Sequence, residues 1–242
     1  MTRTENLYPH DLLILMPSSQ YYHISKLMHM IIALKPLKVL DVGTGFGKYG
    51  ALCREYLDLW DGRQKYEFAT QIDGVEVFKE YITPLHHFVY NNIYNDNIIT
   101  VIRKLEMGYD LVLLLDVLEH FDKEEGRFLL DRLLSKNTGV LISTPKHPSA
   151  QKDAFGNIYE THRSAWSKHE LSQMANIFFI SDNISYICYI TKHADSIKRL
   201  KIRMDQLNVE RQPFLLIKTK GFLASIPGVH KIYRSLRKAK HV

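Results

Sequence analysis

The chain of 242 residues is 45% apolar and 24% charged, a balance that excludes a disordered or fibrous protein and suffices for one α/β domain of ordinary size with additions at its ends. Two cysteines, Cys53 and Cys188, are too few for a disulfide framework or a thiolate zinc cage, which points to a reducing, cytoplasmic setting. The net charge of +6 sits at one end: residues 192–242 hold 13 Lys and Arg against 3 Asp and Glu, so the chain as a whole is not a basic protein.

No apolar run approaches the roughly 18 residues of a membrane span, and the opening residues show no apolar signal-peptide core. Residues 1–17 read as an irregular arm closed by Met16-Pro17. An N-cap signal at Ser18-Ser19-Gln20 opens a helix in which Ile24, Leu27, Ile31 and Leu34 recur at three- and four-residue spacing, stopping before Pro36. Val39-Leu-Asp-Val42 then reads as a buried parallel strand, broken by glycines at alternate positions, Gly43, Gly45 and Gly47. Glycine admits positive φ and brings backbone close to a ligand with no Cβ between. Leu52, Tyr56, Leu57 and Trp60 mark the helix that follows. A strand, glycine turn and helix N-terminus in series present backbone N–H groups to a cofactor.

The spacing narrows that cofactor. A dinucleotide fingerprint needs its third glycine where Lys48 stands, and a P-loop needs glycine and Ser or Thr where the chain has Val42 and Tyr49. Asp41-x-Gly43-x-Gly45-x-Gly47 instead resembles the first motif of the class I S-adenosylmethionine-dependent methyltransferases. The resemblance implies cofactor contacts from Asp41, Gly43, Thr44, Gly45 and Gly47, and a helix before the first strand that covers the cofactor cleft.

Phe68 to Val77 reads as the second strand, whose terminal acid would accept from both ribose hydroxyls. Asp73 and Glu76 both qualify, and the family pattern favours Glu76 at the strand tip. Adjacent His86 and His87 read as a surface pair, and no metal-ligand set is expected. Phe88-Val89-Tyr90 suggests a short third strand. Beyond it Asp96 matches the carboxylate that meets the adenine amino group in the resembling family, and it equally suits the N-cap of a helix from Ile98 to Leu105.

Tyr109 to Asp116 is the clearest strand, almost wholly apolar as a strand covered on both faces must be. It ends in Asp116-Val117-Leu118-Glu119-His120, a signature of the resembling methyltransferases that act on small molecules, quinones and sugars. That likeness puts Asp116 and Val117 near the methionine end of the cofactor. A helix from Lys123 to Ser135 and a fifth strand, Gly139 to Thr144, follow. The next twenty residues lack any period yet carry Asn157, Tyr159, Glu160, His162 and Trp166. This segment resembles the Gly-Asn-x-Tyr-Glu-x-His-x-Ser-x-Trp stretch of bacterial methyltransferases and reads either as an acceptor lid or as a loop pinning the sheet end. Ser167-x-x-Glu170 is a capping box, and Ile177 to Ser181 with Ser185 to Ile190 forms a hairpin that supplies an antiparallel strand.

The fold expected is a doubly wound, Rossmann-like α/β/α sandwich on a seven-stranded sheet. It divides into an arm (1–17), an S-adenosylmethionine-binding domain (18–192) and a basic amphipathic extension (193–242). The expected activity is methyl transfer to oxygen or nitrogen of a small-molecule, glycan or lipid-linked acceptor, with His120, His162 and Glu160 as candidates for the base that takes the acceptor's proton. The rivals are a non-catalytic binding module of the same fold and an RNA methyltransferase that uses the tail. Interleaved apolar and cationic residues over 196–242 suit an anionic membrane surface, which would place the protein at the inner face of the membrane; they also suit nucleic acid or packing on a second subunit, as in a homodimer.

Overall fold

A computed structural model describes residues 19–210 apart from 105, 107, 150 and 152–155. The chain divides into two units, Met1–Lys201 and Ile202–Val242. The arm expected over 1–17 and the tail beyond residue 210 lie outside the described residues.

In the first unit the apolar periods become strands and helices in alternation. A single turn, Tyr21–His23, leads into α1 (Ile24–Leu34), which buries Leu27, Met30 and Ile31 and ends where Lys35 turns left-handed at φ 48°. Then come β1 (Lys38–Val42), α2 (Lys48–Leu57), β2 (Gln71–Val75), α3 (Pro84–Val89), β3 (Asn92–Tyr94) and α4 (Ile98–Lys104). The second half adds β4 (Leu111–Leu115), α5 (Lys123–Lys136), β5 (Val140–Pro145), α6 (Lys168–Ser172), β6 (Asn176–Ile180) and β7 (Ser185–Thr191). Helix α7 (Ala194–Glu210) crosses from the first unit into the second. Among the described residues no helix is long and apolar enough to cross a membrane.

The seven strands run in the order β3-β2-β1-β4-β5-β7-β6. All neighbouring pairs are parallel except those made by β7, which is antiparallel to both β5 and β6. The hairpin expected from the sequence thus inserts its second strand beside β5 and leaves its first at the edge. Every residue of β4 is buried, with Leu40, Val112 and Leu114 packing against Leu129 and Leu133 of α5. Each such side chain contributes on the order of 1.5–3 kcal/mol of burial. Strand order reverses between β1 and β4, so the crevice in which doubly wound sheets bind ligands lies over the carboxyl ends of those two strands.

One element differs from expectation. Phe88-Val89-Tyr90 does not form the third strand: Pro84 occupies the first turn of α3, and a capping box joins Thr83 to His86. Proline is preorganised for a helix start, and that cap commits the following residues to a helix. The strand begins at Asn92 instead, where Asn92 pairs with Asp73 of β2.

Candidate active site

A cleft of about 580 Å3 opens over the switch point and takes in the ends of four strands at Val42, Val75, Leu115 and Pro145. Ser19 and Gln20 form part of its wall, and the Lys48 ammonium donates to the Ser19 carbonyl at 2.7 Å, tying the entry to α1 to the start of α2.

The glycine turn forms the floor. Gly43, Gly45 and Gly47 have φ of 69°, 53° and 85°, values that L side chains rarely adopt. A Cβ on Gly43 would stand 2.7 Å from Cγ2 of Val117. The N–H groups of this turn are largely engaged already: Gly43 and Thr44 donate to the Val75 carbonyl, Gly47 donates to Thr44, and Gly45 donates to Glu76 Oε2 at 2.8 Å. The turn therefore offers close approach rather than the row of free donors expected of it. The Gly45 carbonyl is held as well, accepting from His86 Nε2 at 3.0 Å, while His86 Nδ1 accepts from the Thr83 N–H. His86 is buried, not half of a surface pair, because its ring fills the space beneath the turn.

The acids separate into those that reach the cleft and those that do not. Asp41 and Gly47 do not line it. The Asp41 carboxyl points away, accepting from the Tyr90 hydroxyl at 2.6 Å, and burial pushes it up to about 6 against the pull of Tyr90 and the Gly50 N–H. Asp73 is also turned away, bound by Tyr109, Gln71 and Asn92. Glu76 does line the cleft, its two oxygens accepting from the Gly45 and Phe78 N–H groups. Burial pushes its carboxyl up to about 7, against those two hydrogen bonds. Asp96 lines the cleft with a salt bridge to Lys104 at 3.5 Å. The N-cap role falls to Asn97, whose carbonyl accepts from Val101 and whose side chain accepts from Ile99. At the end of β4, Asp116 takes a left-handed φ of 56°; Oδ1 accepts from the Ser143 hydroxyl at 2.7 Å and Oδ2 is buried with no hydrogen-bond partner. Burial raises its carboxyl above the usual range.

Glu119, His120, Glu160 and His162 line the same cleft. The turn Leu118–His120 and the segment before α6 are stitched together by backbone: the Glu119 carbonyl accepts from the Arg163 and Ser164 N–H groups at 2.8 and 3.1 Å. The Trp166 indole, fully buried, donates to the Leu118 carbonyl at 3.3 Å. Trp166 thus pins the loop, while Tyr159 stays exposed on the cleft wall. The His120 and His162 rings lie 5.1 Å apart. Burial, helped by the neighbouring His162, pushes His120 down to about 4, so it is neutral at pH 7. Burial raises Glu160, and Glu119, buried beside Asp116, is raised further.

Tyr90, His86 and Asn97 escaped sequence reasoning. Tyr90 and His86 meet Asp41 and Gly45 only through folding, whereas Asn97 caps residues two and four positions on, a local role for which Asp96 beside it competes in sequence. Glu119 was visible within Asp116–His120, but nothing in the sequence gave it a partner.

The arrangement fits S-adenosylmethionine. A floor a Cβ would obstruct admits a close-packed ligand, Glu76 retains acceptor capacity for hydroxyls, and the unpartnered Asp116 Oδ2 offers an acceptor for an ammonium.

Residues 20–177 match the family model for a methyltransferase domain. No curated protein matches the sequence. Among solved structures, a 2.2 Å crystal structure of WbdD is similar with a TM-score of 0.52 at 19% identity, covering 73% of this chain and 41% of the WbdD chain. This chain thus spans well under half the length of that protein. The N-terminal domain of EvdMO1, crystallised with SAH bound, has a TM-score of 0.53 at 12% identity and covers 77% of this chain and 85% of that one. At these identities the likeness is one of fold.

Proposed function

Since the chain belongs to this methyltransferase-domain family, we propose that it methylates a hydroxyl of a glycan or lipid-linked acceptor, using S-adenosylmethionine. The observation that carries this reading is that one cleft brings Gly43, Gly45, Glu76 and Asp116 together with His120, Glu160 and His162.

When bound, S-adenosylmethionine supplies a methyl group activated by its sulfonium. Glu76 would accept from the ribose hydroxyls, Asp96 from the adenine amino group, and Asp116 Oδ2 from the ammonium of the methionine part. Thr44 and Val117 would pack beside the ligand, and Asp41 and Gly47 support the turn from behind. The Nδ1 of His120 meets the Thr161 carbonyl at 3.2 Å and that of His162 meets the Ser149 carbonyl at 2.8 Å. A carbonyl only accepts, so Nδ1 carries the proton in each ring and Nε2 is left with a lone pair. Either Nε2, or the Glu160 carboxylate, can take the acceptor's proton as the new bond forms. Trp166 and the backbone bonds to Glu119 hold these side chains in place.

Calorimetric titration with S-adenosylmethionine, S-adenosylhomocysteine and NAD tests the reading. Micromolar binding of the first two, lost in Gly45→Arg and in Glu76→Ala, is expected. Absence of binding by the native chain would overturn it in favour of a non-catalytic module.

A further inference from the structure

Glu119, His120 and His162 each offer a ligand atom, and these atoms all lie within 4.8 Å of one another. The sequence suggests nothing of the kind, since His162 lies far along the chain from the other two. Backbone bonds from Arg163 and Ser164 to the Glu119 carbonyl bring it there.

Three features distinguish this cluster from a chance meeting of side chains. Both imidazoles give their Nδ1 proton to a backbone carbonyl, at Thr161 and at Ser149. That is the outer-shell arrangement of metal-bound histidines, which fixes the tautomer and aims the other nitrogen. Glu119 is similarly braced, its Oε2 accepting from the Thr144 hydroxyl at 3.0 Å. And Glu119 is a buried carboxyl with no Lys or Arg bonded to it among the described residues, a situation a cation would relieve.

We propose that Glu119, His120 and His162 bind a divalent transition-metal ion, Mn2+ or Zn2+, which presents a hydroxyl-bearing acceptor to the cofactor within the same cleft. Two imidazole nitrogens and one carboxylate oxygen form a donor set for such ions rather than for Mg2+ or Ca2+, which prefer oxygen throughout. Bond lengths of about 2.0–2.2 Å require the three side chains to draw together by small rotations. Positions left open on the ion face the cleft, where two adjacent oxygens of a sugar-like acceptor can bind side by side. In the loaded protein the histidines orient the acceptor through the ion, and Glu160 is left to receive its proton. The proposal rests on the methyl-transfer reading only for the identity of the acceptor; ion binding is independent of it.

The test uses the full chain stripped with a chelator, titrated calorimetrically with MnCl2, ZnCl2 and MgCl2. Co2+ is added in parallel to read the visible absorption of imidazole-ligated cobalt. His162→Ala is the principal variant, since His162 is half-buried on a loop and its removal leaves the core intact. His120→Ala is the second, with thermal melting as a folding control. Expected are one saturable site for Mn2+ or Zn2+, weaker by tenfold or more in His162→Ala and His120→Ala, and a cobalt spectrum that His162→Ala abolishes. No saturable binding, or equal binding by native chain and folded His162→Ala, overturns the site. Titration of S-adenosylhomocysteine into the same samples separates the two readings: its binding without metal binding removes the metal site alone, and loss of both removes the methyl-transfer reading as well.

Discussion

The Tyr90 hydroxyl donates to Asp41 Oδ2 at 2.6 Å across 49 residues of sequence, and this bond turns the acid of the first glycine motif away from the cleft. Tyr90 lies directly over Gly50, where any Cβ would collide with its ring. The acid, the tyrosine and that glycine lock the start of α2 against β1, and the turn between them inherits its shape.

Tyr90→Phe should destabilise the protein by about 1–3 kcal/mol, the cost of leaving a buried acceptor unpaired. The loss depends on pH. The folded value of Asp41, about 6, lies above its ordinary 3.8. The native state therefore binds the extra proton, and burying the charge weighs on stability as pH rises from about 4 to 6. Because the hydroxyl serves the ionised carboxylate, the Tyr90→Phe deficit should be larger at about pH 7.5 than at about pH 5. Urea unfolding at the two values reads the difference, and an equal deficit at both would sink the account.

Gly43→Ala combines a φ of 69° with a Cβ 2.7 Å from Val117. Left-handed backbone costs an alanine about 1–2 kcal/mol, and the methyl group intrudes on the cleft floor. We expect S-adenosylhomocysteine affinity to fall tenfold or more, with melting lowered by a few degrees. Calorimetry and a thermal melt on one preparation separate the two effects.

Cofactor affinity should titrate with Glu76. Hydroxyls of a ribose donate to the carboxylate, and the protonated acid surrenders acceptor capacity. With the group at about 7 in the free protein, affinity for S-adenosylhomocysteine should be flat above that pH and fall below it by up to about tenfold per unit. Glu76→Gln should bind more weakly and lose this dependence. A profile unchanged in Glu76→Gln would assign the titration to another group.

Arg54 is buried, paired with Asp58 at 2.6 Å, and donates to the Thr70 and Val89 carbonyls, both at 2.8 Å. Its guanidinium also stacks on Phe68 at 4.2 Å. Arg54→Met should cost about 3–5 kcal/mol in urea unfolding, because it strands a buried carboxylate and two carbonyls. A loss below about 1 kcal/mol would mean that Arg63, 3.7 Å from Asp58, takes over the pairing.

Much of this fold is written in local pattern. The unbroken apolar run of β4 specifies a strand buried on both faces. Ser167 and Glu170 specify the start of α6, and both halves of that capping box form. Phe88-Val89-Tyr90 has strand composition, yet Pro84 and the Thr83–His86 cap decide the backbone there. Propensity is the weaker influence when a cap and a preorganised first turn agree.

The sequence by itself determined the glycine turn after β1 and most of the order of strands and helices, because glycine spacing and hydrophobic period act over a few residues. It also offered Asp73 and Glu76 as candidate ribose acids and favoured Glu76. Only the tertiary structure gives the two acids different surroundings, since β2 pairing binds the first to Asn92 and Tyr109 and the second lines the cleft. The same holds for the histidines. His120 meets Thr161 across 41 residues, and no local period records such a contact. It exists because a buried tryptophan and two backbone bonds to Glu119 fold an irregular loop onto the end of β4.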